Sequence, residues 1–171
     1  MALPDGKLSA GDPSQDLFRS DFPPVLTAGF EPGAYAVDVT FAEKRSDRRI
    51  AAVIISFSAA EPTFWEKACL SDDDQHPSGS HEIAVDSARA YLGAFAAARS
   101  IALSGTPLVD IAARGQRGQT FEWGEVPVAG AGNLFFFSTG MGDGTYPLFL
   151  GRDVAGHPAV LILDFLLIGK P

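Results

Sequence analysis

The last third of the chain constrains the fold most, because it contains three strand-like runs separated by two turns. The runs cover 133–138, 145–150 and 157–168, and they consist mainly of aliphatic and phenylalanine residues. Short apolar runs bounded by glycine- and aspartate-rich turns are typical of buried β-strands. The sequence therefore predicts a C-terminal β-meander over 133–168, with a hairpin tip at 140–146.

The glycine-rich loop at 140–146 could serve as a phosphate cradle or as a turn. Gly140, Gly142 and Gly144 surround the carboxylate of Asp143. A phosphate-binding loop needs a helix directly behind it, so that main-chain N–H groups converge on the anion. Here a strand-like run follows, and neither lysine nor arginine stands beside the glycines. The loop is therefore interpreted as a turn, with Asp143 as a turn former.

The rest of the chain mixes predicted strands with predicted helices. Alternating or continuous apolar residues predict strands at 34–41, 49–57, 81–85 and 120–126. Helical spacing and capping residues predict helices at 63–70, 87–103 and 108–114, after an irregular N-terminal arm at 1–22. No linker divides the chain, so we expect a single domain over 1–171. Its predicted class is α+β, a mostly antiparallel sheet of about six to eight strands with two or three packed helices.

The charge balance excludes some partners and favours others. The chain carries 21 acidic residues against 13 lysines and arginines, a net charge of −8. Neutralising nucleic-acid phosphates needs a basic face, and the one basic cluster, at 44–49, is interpreted as a solvated hairpin loop. We therefore expect no nucleic-acid ligand, and we expect any protein partner to present a basic surface.

Cysteine usage and hydropathy point to the cytoplasm. Cys69 is the only cysteine, so neither an intrachain disulfide nor a zinc site built on paired thiolates can form. The first residues lack the apolar core of a secretory signal, and no apolar run reaches the length of a membrane helix. The sequence predicts a soluble cytoplasmic protein that does not bind membranes.

Four aspartates are the candidate catalytic residues. Asp143, Asp153 and Asp164 fall at successive points of the C-terminal region, and Asp86 precedes a predicted helix. Carboxylates that converge in a cleft can perform acid–base catalysis or hold a hard cation. A structural role is the favoured alternative: Asp143 can form a turn, and Asp164, inside an apolar run, needs a partner such as Arg152 or main-chain donors of the glycine-rich turn. EF-hand spacing and a Gly-x-Ser-x-Gly elbow are both missing, so no metal and no cofactor is assigned.

Most aromatic residues fall on predicted strands and are assigned to the core. Trp123 and Tyr146 combine a large apolar area with a polar tip, so they are the candidates for a ligand-binding groove. The sequence leaves both placements, core and groove, open.

Several short elements resemble one family in their order along the chain. They are Gly11-Asp12-Pro13, Pro32-Gly33-Ala-Tyr35-Ala-Val37, Trp65-Glu-Lys-Ala68, Val85-Asp86-Ser87, and the run 137–146 with Gly151-Arg-Asp153 and Asp164-Phe165. In these elements the chain resembles the bacterial domain of unknown function 4241, over nearly its whole length. It departs at Ala88, where a glycine is expected after Val-Asp-Ser. The resemblance implies a bacterial origin and a shared fold, but no activity and no catalytic residues.

The sequence favours a bacterial binding or interaction module, immunity-like or regulatory in kind, over an enzyme. The alternative is a hydrolase or metal-assisted enzyme that uses a carboxylate cluster in the C-terminal region. The two hypotheses differ in one respect, because an enzyme needs Asp86, Asp143, Asp153 and Asp164 to converge in a cleft.

Overall fold

A computed structural model describes residues 1–17, 22–71, 79–104, 115–118 and 120–168. The strands of the N-terminal half are β1 (Ala2–Leu3), β2 (Leu8–Gly11), β3 (Val25–Leu26), β4 (Gly33–Ala34), β5 (Ala36–Lys44), β6 (Asp47–Ser56), β7 (Phe64–Lys67), β8 (Leu70–Ser71) and β9 (Glu82–Val85). Those that follow are β10 (Arg89–Ala94), β11 (Gly115–Arg117), β12 (Glu122–Val128), β13 (Gly132–Ser138), β14 (Gly144–Arg152) and β15 (Pro158–Asp164). The helices are α1 (Pro13–Asp16) and α2 (Phe95–Ser104).

Two large sheets share one hydrophobic core. The first has seven strands in the order β11-β12-β13-β10-β2-β3-β8. The second has the order β5-β6-β15-β14-β7, with β9 also paired to β14, and a small sheet joins β1 to β4. Leu92 and Leu134 of the first sheet lie in the same buried cluster as Val53 and Leu161 of the second. Burial of aliphatic side chains from both sheets is therefore the main stabilising contribution.

The α+β assignment is wrong, because the described residues are mostly strand and contain only one helix longer than a single turn. The expected antiparallel pairing is confirmed. The helix predicted at 87–103 divides into β10 and α2. Residues 90–94 are all buried in β10, between β2 and β13. A continuous apolar run of this kind has no period that separates strand from helix.

Neither of the other two predicted helices appears among the described residues. The segment 63–70 contains β7 and the start of β8, and β7 pairs with residues 149–152 of β14. Pairing with a neighbouring strand thus overrides the local helix-start signal of Pro62. The segment 108–114 lies outside the described residues, as do His76 and the acidic run 72–74.

The N-terminal arm predicted at 1–22 is also wrong where the structure describes it. Strand β2 is buried at all four residues and lies between β10 and β3, and α1 follows directly. The hydroxyl of Ser9 in β2 donates to the Pro24 carbonyl and lies 3.0 Å from the Tyr91 hydroxyl. The sequence pattern did not predict this strand, because a strand that is buried on both faces lacks the alternation of polar and apolar residues.

The glycine-rich loop carries the chain from one large sheet to the other. Strand β13, before the loop, pairs with β10 and β12 in the first sheet. Strand β14, after it, pairs with β15 on one side and with β7 and β9 on the other. Strands β13 and β14 therefore belong to different sheets, so the expected hairpin tip at 140–146 does not form.

The predicted pairing of the strands near 34–41 and 49–57 is confirmed. Strand β5 runs antiparallel to β6, with Val37 opposite Ile55, and β6 is central because it also pairs with β15.

Among the described residues, no helix is long and apolar enough to cross a membrane.

Candidate functional site

The four candidate aspartates lie at three separate places. Asp86 and Asp143 flank one turn, where Asp86 accepts from the Gln15 side chain at 3.1 Å and Asp143 from the Ala88 N–H at 2.9 Å. Asp153 lies in the β14–β15 turn and Asp164 at the end of β15. Among the described residues, no group of three or more histidine, cysteine, aspartate or glutamate side chains is placed to hold a metal ion.

Asp164 and Asp153 each stabilise their own turn. Asp164 Oδ1 accepts from the Leu166 N–H at 2.8 Å. Asp153 Oδ1 accepts from the N–H groups of Ala155 and His157, both at 2.9 Å. Arg152, the partner expected for Asp164, instead pairs with Glu66 at 2.7 Å. Both aspartates thus have the local role that their turn sequences favour.

A fifth aspartate, Asp12, accepts four hydrogen bonds at its carboxylate. Its side chain is fully buried and caps α1 by accepting from the Ser14 N–H at 2.6 Å. It also accepts from the N–H groups of Asp86 and Ser87, at 2.7 and 2.9 Å, and from the Ser87 hydroxyl at 2.8 Å. We call this set of contacts the Asp12 junction. Because donors occupy both carboxylate oxygens, the junction positions the chain rather than offering a free base.

Three of the elements that carry the family resemblance meet at the Asp12 junction. Asp12 belongs to the first of them, and Ser87 to the Val-Asp-Ser element. The glycine-rich loop joins through Asp143, which accepts from Ala88, and through the Thr139 N–H, which donates to the Ala88 carbonyl at 3.1 Å. The turn at 86–88 is therefore fixed by carboxylates from two distant parts of the chain.

The hydrogen bonds at the Asp12 junction also determine the protonation of its carboxyl group. Burial alone raises the pKa of Asp12. The hydrogen bonds from Asp86, Ser14 and Ser87 favour the charged form and outweigh burial, so the pKa of Asp12 lies below its ordinary value. The carboxylate is thus charged at neutral pH and bound entirely within the protein.

Ala88 adopts a left-handed backbone conformation in this turn, with φ of +53°. This region costs a residue with a Cβ roughly 1–2 kcal/mol relative to glycine. The strain is maintained by the hydrogen bonds on either side, from Ala88 to Asp143 and from Thr139 to Ala88. The departure noted in the sequence, alanine in place of an expected glycine, therefore coincides with a backbone geometry that suits glycine.

Replacing Ala88 with glycine is expected to raise the free energy of unfolding by about 0.5–1 kcal/mol, since relief of strain exceeds the added entropy of the unfolded chain. Urea unfolding monitored by circular dichroism measures the change. Ala84→Gly is the matched control, because Ala84 is an exposed residue of regular strand β9. There the same substitution should lower stability by about 0.5–1 kcal/mol. Equal losses in both variants would contradict the strain at Ala88.

A separate group of residues gathers at one end of the six-stranded sheet. Antiparallel neighbours alternate direction, so this end collects the start of β5, the end of β6, the start of β15, the end of β14 and the start of β7. The residues there are Tyr35, Phe57, His157, Asp153 and Phe64. Four of them, all but Phe64, line one cleft of about 640 Å³ together with Phe30 and Glu31. We call these six residues the sheet-end cleft.

The walls of the sheet-end cleft are aromatic and held in place. Phe30 stacks on Phe57 with ring centroids 4.3 Å apart, and Tyr35 meets Phe57 edge-on at 5.1 Å. The Tyr35 hydroxyl donates to the Glu31 carbonyl. Tyr35 and Phe57 are half-buried, so each packs on the core and keeps part of its ring exposed to the cleft.

The rim of the sheet-end cleft is acidic. Glu31 is exposed, and the Asp153 side chain is 18 % exposed. Asp153 Oδ1 is occupied by its own turn, while Oδ2 lies 3.8 Å from Nδ1 of His157, a side chain that is 79 % exposed. The cleft therefore offers one fixed carboxylate oxygen and one exposed carboxylate beside aromatic rings, which is chemistry that suits a cation.

The two predicted groove residues differ in their surroundings. Trp123 lines a shallow groove with Val37, Asp38 and Phe41 between β5 and β12. Tyr146 is 5 % exposed, its ring packs edge-on against Phe165, and its hydroxyl donates to the Gly142 carbonyl at 2.7 Å. Tyr146 thus stabilises the glycine-rich loop from inside the core.

A further small cleft surrounds a partly exposed ion pair. Arg89 donates to Glu122 at 3.1 Å, and Pro13, Phe136 and Ser138 complete the lining. Since the two charges compensate each other, this cleft offers a ligand little unpaired charge.

The sequence reasoning missed most of the sheet-end cleft. It singled out Asp153, but it assigned Phe57 and Tyr35 to the core and gave Glu31 no role. One signal was present, because Tyr35 lies at the start of one predicted strand and Phe57 ends the next. Residues at the start of one strand and the end of its antiparallel neighbour lie side by side. The position of the β14–β15 turn beside them required the sheet order.

Comparison of the chain with family models, with curated proteins and with solved structures finds no match in any of the three. The resemblance to the bacterial domain of unknown function 4241 therefore stays a prediction. Function is inferred from the geometry of the chain alone.

Proposed function

We propose that this chain is a binding module of the bacterial cytoplasm, immunity-like or regulatory, which docks a protein with a basic surface through the sheet-end cleft. The observation that carries the proposal is the combination of aromatic walls with the carboxylates of Glu31 and Asp153 in one cleft. Aromatic side chains dominate the energetics of interfaces, and complementary charge steers the encounter. The net charge of −8 favours the same class of partner.

Exposed apolar side chains beside the cleft support a docking surface. Phe64 and Trp65 of β7 are 56 % and 45 % exposed, and Val154 at the tip of the neighbouring β14–β15 turn is 91 % exposed. A group of large apolar side chains at one surface is typical of a protein interface. A partner would bury this group together with the acidic cleft.

The enzyme alternative gains no comparable support. It depends on convergence of the candidate aspartates, which lie at three places in the fold. Asp143, Asp153 and Asp164 each accept a main-chain hydrogen bond, and Asp86 accepts one from a side chain. A carboxylate that stabilises its own turn is a poor candidate for proton transfer to a substrate.

The proposal is tested by capture with charge-reversed variants. Wild type, Glu31→Lys and Glu43→Lys are immobilised and exposed to a lysate of the source bacterium, and each retained protein is purified and its affinity measured. Glu43 lies at the far end of β5, opposite Arg48, so its variant changes net charge equally at a distant place. We expect a basic partner that binds wild type and Glu43→Lys alike, and Glu31→Lys about tenfold or more weakly.

Two results would contradict the binding module. One is a partner whose affinity is the same for all three proteins. The other is capture of no partner together with a rise in melting temperature when calcium or magnesium is added, since a ligand that binds the folded state stabilises it. The second result would favour the metal-assisted enzyme instead.

A further inference from the structure

The sheet-end cleft has the geometry of a receptor for one particular cationic side chain. A cation can be held by aromatic faces, by carboxylates or by both, and the described residues place both around one opening. The choice between the two basic side chains follows from shape. A guanidinium is planar and stacks on rings while donating in parallel to carboxylate oxygens, whereas an ammonium is a compact, strongly hydrated point charge.

The aromatic wall favours a planar group. Phe57 stacks on Phe30 and makes a T-shaped contact with Tyr35, so the rings of the wall hold one another in place. The Tyr35 main chain is also fixed, because its N–H donates to the Met1 carbonyl at 2.7 Å. Rings that are held before a ligand arrives lose little entropy on binding, so stacking on them contributes to affinity.

The carboxylates of Asp153 and Glu31 differ in how firmly they are held, and this difference suits the several N–H donors of a guanidinium. Asp153 is immobilised by two main-chain N–H groups on Oδ1, which leaves Oδ2 as an acceptor at a defined position. Glu31 is exposed, and no salt bridge to it is formed among the described residues. One fixed and one adjustable acceptor match the several N–H donors of a guanidinium.

We propose that the sheet-end cleft binds an arginine side chain of the partner protein, with the guanidinium stacked on the Tyr35 ring and hydrogen-bonded to Asp153 and Glu31. This inference rests on the proposed function and names the group that the partner inserts. His157 lies at the opening, and its exposed ring can cover the bound side chain from the solvent side.

The test uses three blocked tripeptides that differ only in the central side chain, Gly-Arg-Gly, Gly-Lys-Gly and Gly-citrulline-Gly, titrated into the isotope-labelled full chain. Citrulline keeps the shape of arginine but lacks its charge. Nuclear magnetic resonance locates the binding site and measures affinity. We expect the arginine peptide to perturb residues 29–35, 57–58 and 153–158 saturably, with a dissociation constant on the order of 1 mM. The lysine and citrulline peptides should bind at least about fivefold more weakly.

Three variants distinguish binding by the carboxylates of the cleft from attraction by the net negative charge of the whole protein. Glu31→Gln removes an exposed charge, and Asp153→Asn keeps an oxygen that accepts the turn hydrogen bonds, so both are expected to fold. Each should weaken arginine-peptide binding at least about fivefold, whereas Glu43→Gln at the far end of β5 should leave it unchanged. Equal binding of arginine and citrulline peptides, equal or tighter binding of the lysine peptide, or perturbations elsewhere would overturn the proposal.

The failure of this inference is distinguishable from failure of the proposed function. If Glu31→Lys loses the protein partner while the arginine peptide does not bind the cleft, the docking surface stands and the arginine assignment is wrong. If the partner binds Glu31→Lys as well as wild type, the docking surface itself is wrong.

Discussion

Replacing Asp12 with alanine is expected to lower the free energy of unfolding by about 3–5 kcal/mol. The substitution leaves the N–H groups of Ser14, Asp86 and Ser87, which are partly buried, without their acceptor. Each buried donor without an acceptor costs about 1–3 kcal/mol, and loss of the α1 cap adds about 1 kcal/mol. The effect is a large part of the 5–15 kcal/mol that holds a typical domain together.

Asp12→Asn separates the charge from the shape of this side chain. One oxygen becomes an NH2 group that faces hydrogen-bond donors, so we expect a loss of about 2–4 kcal/mol. Asp164→Asn is the matched control, because its carboxylate accepts a hydrogen bond from Leu166 within an exposed turn. There asparagine replaces the acceptor, and the loss should stay below about 1 kcal/mol. Urea unfolding of the three proteins measures both differences. A similar loss of unfolding free energy in the two asparagine variants would contradict the stabilising role of the Asp12 junction.

The contribution of the Asp12 charge should disappear in acid. The folded state lowers the pKa of Asp12, so its stabilisation is fully present above the unfolded carboxyl pKa of about 3.9 and is lost as pH falls through the lower folded value. The gap in unfolding free energy between wild type and Asp12→Asn should therefore be constant from neutral pH to about pH 5 and narrow below about pH 4. The hydrogen bond from Arg49 also lowers the pKa of Asp47, but that effect is common to both proteins and cancels. A gap that does not change with pH would show that Asp12 is not charged in the folded protein.

Replacing Gly93 with alanine is expected to lower the free energy of unfolding by about 2–4 kcal/mol. Gly93 lies in β10, where a Cβ would stand 2.3 Å from the Asn133 carbonyl oxygen and 2.8 Å from the Leu134 Cα. Both atoms belong to the main chain of β13, so relief requires the two strands to separate. Since β10 is central in the seven-stranded sheet, the displacement would disturb its other neighbour, β2, as well.

Gly29→Ala provides the control for Gly93→Ala. A Cβ at Gly29 meets no atom within 4 Å. The same substitution there should be neutral or should raise the free energy of unfolding by up to about 1 kcal/mol, because alanine restricts the unfolded chain. Chemical denaturation of both variants measures the contrast. A loss below about 1 kcal/mol for Gly93→Ala would mean that the two strands adjust freely.

Local pattern predicted those elements that show a clear period. Strand β5 was identified because apolar and polar residues alternate along it, and β6 because its residues are apolar on both faces. Their antiparallel pairing was predicted from the short charged connection between them. Where an element is buried on both faces, as in β2 and β10, the alternation disappears and the same residues fit a helix or an irregular segment. The predicted helix at 87–103 failed for this reason, although Gly93 within it was already unfavourable to a helix.

The candidate site shows the same division. Asp143 was interpreted as a turn former, but its carboxylate accepts from the Ala88 N–H, 55 residues away in sequence. Asp153, a catalytic candidate, stabilises the turn in which it lies. Asp12 was noticed only as part of a short element, because its donors at 86–87 are more than 70 residues away in sequence. No local pattern contains a contact of that separation.

The sequence by itself determined a net negative, β-rich chain with a glycine-rich loop before its last strands. What only the tertiary structure decided is which strands become neighbours. The glycine-rich loop joins two sheets because β13 pairs with β10 and β12, whereas β14 pairs with β7, β9 and β15. The same strand order brings Tyr35, Phe57 and Asp153 together at one end of the second sheet. Strand order depends on how all the apolar faces are buried at once, and that is a property of the whole fold rather than of any segment.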